Sequence, residues 1–147
     1  EVFVSVEEHN ALIKENYHKR VTKRDTVYFL GDVAFDKESL ADVKTWAGAK
    51  KILICGNHDL DHHTMKDLVE VYDEVYALKK YKELWLSHAP IHPDELRGKV
   101  NIHGHTHYHN IADDRYVNVS MEQINYTPIE LHEIRAKLYK EKLIEQD

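Results

Sequence analysis

Four short polar fragments recur in one order along the chain: Gly31-Asp32, Gly56-Asn57-His58-Asp59, Ser87-His88 and Gly104-His105-Thr106-His107. Each follows an apolar run. The runs at residues 26–30, 51–55 and 84–86 are short and β-branched or aliphatic, the pattern of strands, so the fragments fall where strands end and loops begin. Ligands and chemistry gather at the carboxyl ends of strands in open α/β sheets. The repeated order of strand and donor therefore predicts an α/β fold with one site built from several loops.

The remaining segments fit that frame. Ser5 and Glu8 have capping-box spacing, which predicts a helix over residues 6–20. A second helix is expected over residues 37–47, with Leu40, Val43 and Ala47 on one side and Gly48 ending it. A third is expected over residues 62–71. Residues 74–78 and 83–87 read as a hairpin across the charged stretch Lys79-Lys80-Tyr81-Lys82. Pro90 and Pro93 keep the segment after His88 irregular. Strands at 100–103, 116–119 and 128–132 and a charged helix over 133–145 complete the reading.

The length of 147 residues suits a single domain. Charged residues make up 31% and no apolar stretch approaches the roughly 20 residues of a membrane helix, so a soluble, cytoplasmic protein is expected. A formal net charge of -6 disfavours unaided binding of nucleic acid through a broad basic face, although bound cations would reverse the sign locally. The basic clusters at residues 79–82 and 97–99 are too short to argue for a nucleic-acid strand. Cys55 is the single cysteine and reads as a buried small hydrophobe.

The fragments carry metal-ligand chemistry. Asp32 offers two carboxylate oxygens, the one common side chain that can bridge two cations, and Asn57 offers a neutral carbonyl oxygen. His88 follows a strand directly. His105 and His107, two apart in a segment expected to be extended, would point the same way, with Gly104 allowing close backbone approach. A mixed oxygen and nitrogen shell suits manganese, iron, zinc, cobalt or nickel better than magnesium or calcium. Such a centre lowers the pKa of bound water to about 7, and two ions roughly 4 Å apart can clamp an in-line displacement at phosphorus. His58 could then protonate the leaving oxygen, while Asp59 could accept a hydrogen bond from an imidazole and fix its tautomer. His92 and Arg97 are candidates for phosphate contact. His62, His63, His103 and His109 read as surface or packing residues.

In these blocks the chain resembles the calcineurin-like metallophosphoesterases, in particular small, capless bacterial and phage members. The family pattern runs Asp-x-His, Gly-Asp, Gly-Asn-His-Asp/Glu, a lone His and Gly-His-x-His, and four of the five blocks are present in order. The resemblance implies an α-β-β-α sandwich of two mixed sheets flanked by helices. It matches Asp32 to the bridging carboxylate, Asn57, His88 and His105 to the other ligands of the second ion, His107 to a ligand of the first, and His58 to the imidazole that assists the leaving group. Asn57, His58 and Arg97 are the expected substrate contacts. Two divalent ions, manganese favoured, are the expected cofactors.

The Asp-x-His block has no counterpart before Gly31. Glu8-His9 is nearest, but it falls in the expected first helix, so the domain at 1–147 is expected to lack its N-terminal strand and the first ion's shell to be incomplete. The leading expectation is a phosphoesterase that cleaves a phosphomonoester or phosphodiester by attack of a metal-bound hydroxide. Two alternatives stand beside it: a nuclease or cyclic-nucleotide phosphodiesterase of the same fold, and a non-catalytic binding module with a partial metal site.

Overall fold

Unbroken apolar runs such as 27–29 and 52–54 need cover on both faces, and in the computed structural model, which describes residues 1–5 and 11–145, the strands that contain them, β2 (Thr26–Phe29) and β3 (Lys50–Ile54), have it. Val27, Phe29 and Leu53 enter one core, while Tyr28, Ile52 and Ile54 enter another. The first core lies under the helices α1 (Ala11–Arg20), α2 (Lys37–Lys44) and α4 (Met65–Val71), which contribute Ile13, Tyr17, Leu40, Val43 and Leu68. The second core lies between two sheets.

The first sheet contains β1 (Val2–Ser5), β4 (Glu74–Tyr76) and β9 (Ile129–Glu130) beside β2 and β3, in the order β4-β3-β2-β1-β9. All its pairs are parallel except β1 with β9. The second sheet has the order β5-β6-β7-β8, from β5 (Lys79–Tyr81), β6 (Leu84–Ser87), β7 (Val100–His103) and β8 (Tyr116–Asn118), with only β5 and β6 antiparallel. Leu84, Leu86, Val100 and Ile102 face the inter-sheet core, joined by Leu131, Ile134 and Leu138 of α5 (Leu131–Lys140). The chain is thus a mixed α/β protein with two mixed sheets flanked by helices.

Three expectations change. Val2–Ser5 is a strand, not the lead-in to a helix: it pairs in parallel with β2, burying Phe3 and Val4 in the two cores. The Ser5–Glu8 capping box and Glu8-His9 involve residues outside the described ones. Residues 74–78 and 83–87 do not form a hairpin. Lys79–Tyr81 is itself a strand and pairs with β6, while β4 stays with β3 in the other sheet, so the chain crosses between sheets at Ala77 and Leu78.

The third helix, expected over 62–71, starts later, as α4, because Thr64 and Asp67 form a capping box, and a separate single turn, α3 (Asp59–His62), precedes it. The loop after β6, with its 3-10 turn Pro93–Glu95, is bonded to all three parallel strands of the second sheet, through Trp85 Nε1 to the Leu96 carbonyl, the Ile91 N–H to Asn101 and the Tyr116 hydroxyl to the Ile91 carbonyl. Buried Asn101 holds that loop: its amide donates to the Trp85 carbonyl and to Ser87 Oγ, and its Oδ1 accepts from the Ile91 N–H at 3.0 Å.

Candidate metal centre

Every donor fragment sits at the carboxyl end of a strand, and the two sheets bring those ends together. Gly31-Asp32 follows β2, Gly56-Asn57-His58 follows β3, His88 follows β6 and Gly104-His105 follows β7. The first two turns press backbone against backbone. A Cβ on Gly31 would lie 2.5 Å from the Gly56 nitrogen, and one on Gly56 would lie 2.7 Å from the Asp32 nitrogen, so glycine is needed at both. The φ of +87° at Gly31 adds a second reason there.

Asp59 locks the two turns together. Its buried carboxylate accepts from the N–H groups of Gly56 at 2.7 Å, Asp32 at 2.9 Å and Val33 at 3.3 Å. Burial raises the Asp59 carboxyl above the ordinary range, against the pull of those three bonds in the other direction. The expected imidazole partner is therefore replaced by backbone amides: Asp59 shapes the donor loops and does not set a histidine tautomer.

A carbonyl sets that tautomer. His88 Nδ1 lies 2.6 Å from the Leu30 carbonyl oxygen, which can only accept, so Nδ1 carries the proton and Nε2 of the neutral ring presents a lone pair. That Nε2 lies 3.1 Å from Asn57 Oδ1, 3.1 Å from His105 Nδ1 and 3.2 Å from Asp32 Oδ2. The other Asp32 oxygen is held by the His58 N–H at 2.8 Å. Asp32, His88 and His105 each offer a ligand atom within 4.8 Å of the others.

Asp32 Oδ2, Asn57 Oδ1 and His88 Nε2 thus offer lone pairs at one place, and His105 Nδ1 adds a fourth in the tautomer protonated at Nε2. A proton on His88 Nε2 could satisfy one neighbour, whereas one cation meets all four. Neighbouring ligands on an ion with bonds of about 2.1 Å are themselves about 3.0–3.4 Å apart, so the observed spacings fit. Asp32 and His105 also hold left-handed backbone, with φ of 53° and 67°. Burial, followed by the neighbouring His88, lowers the His105 pKa, which favours the neutral ring that a metal needs.

Three expected site residues stand apart from this cluster. His107 is not brought into it: residues 104–107 are not extended, His107 itself has a φ of 51°, and its Nδ1 pairs with Glu122 Oε1 at 2.9 Å. Arg97 lies three residues before β7, which starts in register with Leu84 of parallel β6, so it lies at the opposite end of the sheet from His88 and His105. There it lines a hollow with Lys82 and Lys142. His58 is half-exposed, with Nδ1 3.4 Å from Asp61 Oδ2 and its ring edge-on to Phe35. It is adjacent to the cluster through its backbone while its imidazole is not among the converging donors.

Three polar residues shape the site without having been read as part of it. Asn101, an amide inside an apolar strand, is the one whose position could have signalled a role. His63, expected at the surface, is buried and bonds the Ala34 carbonyl at 2.8 Å through Nε2, bracing the chain just after Asp32. Glu122, the partner of His107, comes from a 3-10 turn, Met121–Gln123, far along the chain. His92, exposed, accepts from the Asp94 N–H at the start of its own turn, and His103 is fully buried, as its packing role required.

Fold and donor cluster together define an α/β protein with the makings of a cation site between two sheets. Among known proteins, the chain is 28% identical over 156 residues to the uncharacterized protein MJ1445 of Methanocaldococcus jannaschii, covering 97% of this chain and 82% of that one. It is 30% identical over 137 residues to the Gene 66 protein of Mycobacterium phage L5, covering 69% of this chain and 66% of that one. The fold is similar to the crystal structure of AQ665 from Aquifex aeolicus, a protein of unknown function, with a TM-score of 0.72 at 24% identity over 92% of this chain and 98% of that one. No family model matches the chain. Among the described residues, no helix is long and apolar enough to cross a membrane.

Proposed function

We propose that the protein is a metal-dependent phosphoesterase of the calcineurin-like kind, acting on a phosphomonoester or phosphodiester. The observation that carries this reading is the convergence of Asn57, Asp32 and His105 on His88 Nε2, the ring nitrogen left facing them when Nδ1 donates to the Leu30 carbonyl. A divalent ion bound there, manganese by preference, supplies Lewis acidity at a phosphoryl oxygen and an acidified water. Asp32, Asn57, His88 and His105 hold and orient; none is free to act as a covalent nucleophile. His58, half-exposed with its backbone N–H bonded to Asp32 and its imidazole outside the donor set, would donate a proton to the departing oxygen. A second ion would have only Asp32 and His107 among the described donors, and His107 is engaged by Glu122.

The test is paired. Metal content after loading with Mn²⁺, and turnover of bis-p-nitrophenyl phosphate and p-nitrophenyl phosphate, are measured for the wild type and Asp32→Asn. Loss of both ion and turnover in the variant supports the reading. A wild type that binds the ion and cleaves neither ester would favour the non-catalytic binding module, and turnover unchanged by Asp32→Asn would remove the site from the chemistry.

A further inference from the structure

The crossover between the two sheets leaves a space beside the donors. As the chain passes from β4 to β5, Ala77 and Leu78 face the start of the loop after β6, and an open cavity of about 510 Å³ lies between them. Its apolar wall is Cys55, Ala77, Leu78, Ala89 and Ile91. Asn57, His88 and His105 also line it, so the cavity adjoins the donor cluster. Among the described residues, no lysine, arginine or carboxylate lines this cavity.

The wall is rigidly placed. The Cys55 N–H bonds the Tyr76 carbonyl at 2.8 Å, and Ile91 is held on both sides, its N–H by Asn101 and its carbonyl by the Tyr116 hydroxyl at 2.7 Å. Leu78 is 42% exposed, a large aliphatic side chain left at the rim. A preformed apolar cavity with a few polar groups at one edge is the usual form of a small-molecule site, and the polar edge fixes which end of the ligand goes where.

We propose that this cavity is the subsite for the organic substituent of the ester, and that it selects an uncharged apolar group. This rests on the phosphoesterase reading and narrows its substrate class. The phosphoryl end is drawn to the donors and the substituent lies along Leu78 and Ile91. A second anionic group would enter an apolar wall with no cation to meet it, so diphosphates and carboxylated esters are disfavoured. Burying an aryl ring against five apolar side chains favours it over a methyl group by tenfold or more in affinity.

The test uses Mn²⁺-loaded protein and calorimetric titration with methylphosphonate, phenylphosphonate and phosphonoacetate, for the wild type, Leu78→Asn and Ile91→Asn. Phenylphosphonate is expected to bind at least tenfold more tightly than methylphosphonate, and phosphonoacetate more weakly than phenylphosphonate by a similar factor. Both substitutions should bring the phenyl-to-methyl ratio close to one while leaving methylphosphonate within about twofold. A ratio near one in the wild type, or one that survives both substitutions, overturns the subsite. Turnover of the methyl and phenyl esters of p-nitrophenyl phosphate, which share a leaving group, is measured alongside. Esters cleaved without a phenyl preference would end the subsite and keep the phosphoesterase. A phenyl preference in binding with no ester cleaved would do the reverse.

Discussion

His88 Nδ1 and the Leu30 carbonyl oxygen lie 2.6 Å apart, so the donor carried by the second sheet is hydrogen-bonded to the backbone of the first, one residue before its own donor loop. The bond fixes the ring in orientation and tautomer at once, and aims Nε2 at Asp32, Asn57 and His105. His88→Ala is expected to lower Mn²⁺ affinity by roughly 100-fold or more, because it removes a ligand and the cross-sheet tie together. Competition against a fluorescent chelator reads this directly. Unchanged affinity would mean that the ion binds elsewhere.

His58→Ala should behave differently. Its imidazole lies outside the converging donors, and the hydrogen bond that matters for the cluster, to Asp32 Oδ1, comes from its backbone N–H, which alanine keeps. Metal content is expected to be unchanged while kcat falls on the order of 10²-fold, the usual weight of a general acid. Loss of the ion in this variant would make His58 a ligand and not an acid.

What could be read in advance follows from where the physics is local. A donor after an apolar run is a strand end wherever the strand pairs, so Asp32, Asn57, His88 and His105 were legible as a set before any pairing was known. His107 was not, because the inference from spacing assumed an extended segment, and the left-handed residues at 105 and 107 turn the chain instead. Arg97 was misplaced for a different reason: proximity in sequence to β7 puts it at that strand's start, and only the parallel pairing with β6 shows that this is the wrong end. The strand character of Val2–Ser5 is tertiary, realised by pairing with β2. Asp59 was seen as supporting the site, but its three partners are backbone amides from two loops, a relation no sequence spacing reveals.

Asp59→Asn tests that clamp. The amide retains one acceptor oxygen where the carboxylate used two, and its NH₂ would face backbone donors in a buried position. A loss of about 2–3 kcal/mol in urea-unfolding stability is expected, with weaker Mn²⁺ binding because the two donor turns are no longer locked. Full stability with reduced metal affinity would instead make Asp59 a direct partner of the ion.

Lys51 supplies a second buried support, remote from the cluster. Its ammonium donates to the carbonyls of Val43, Lys44 and Trp46 at 2.9, 3.0 and 3.0 Å, closing the C-terminal end of α2, and burial lowers its pKa. Lys51→Met keeps the aliphatic stem and strands three carbonyls. The expected cost is about 2–3 kcal/mol in chemical denaturation, with Mn²⁺ affinity within about twofold of the wild type. A neutral substitution would mean that those carbonyls are satisfied without the ammonium.

The acid limb of stability follows from two imidazoles. His103 is fully buried, its Nε2 has no hydrogen-bond partner among the described residues, and burial is the largest cause of its lowered pKa. His105 is lowered too, by desolvation first and then by His88. Both titrate near 6.5 in the unfolded chain, so below that value the unfolded state binds protons that the native state resists. Their contribution to stability is complete above about pH 6.5 and is lost as the pH falls through the depressed native values. Urea unfolding of the metal-free protein, with chelator present, should therefore weaken as the pH drops from about 7 toward 5. His103→Asn should lower stability at neutral pH but give a shallower acid slope. A variant that loses stability in parallel with the wild type would show that the buried ring at 103 is not what the protons attack.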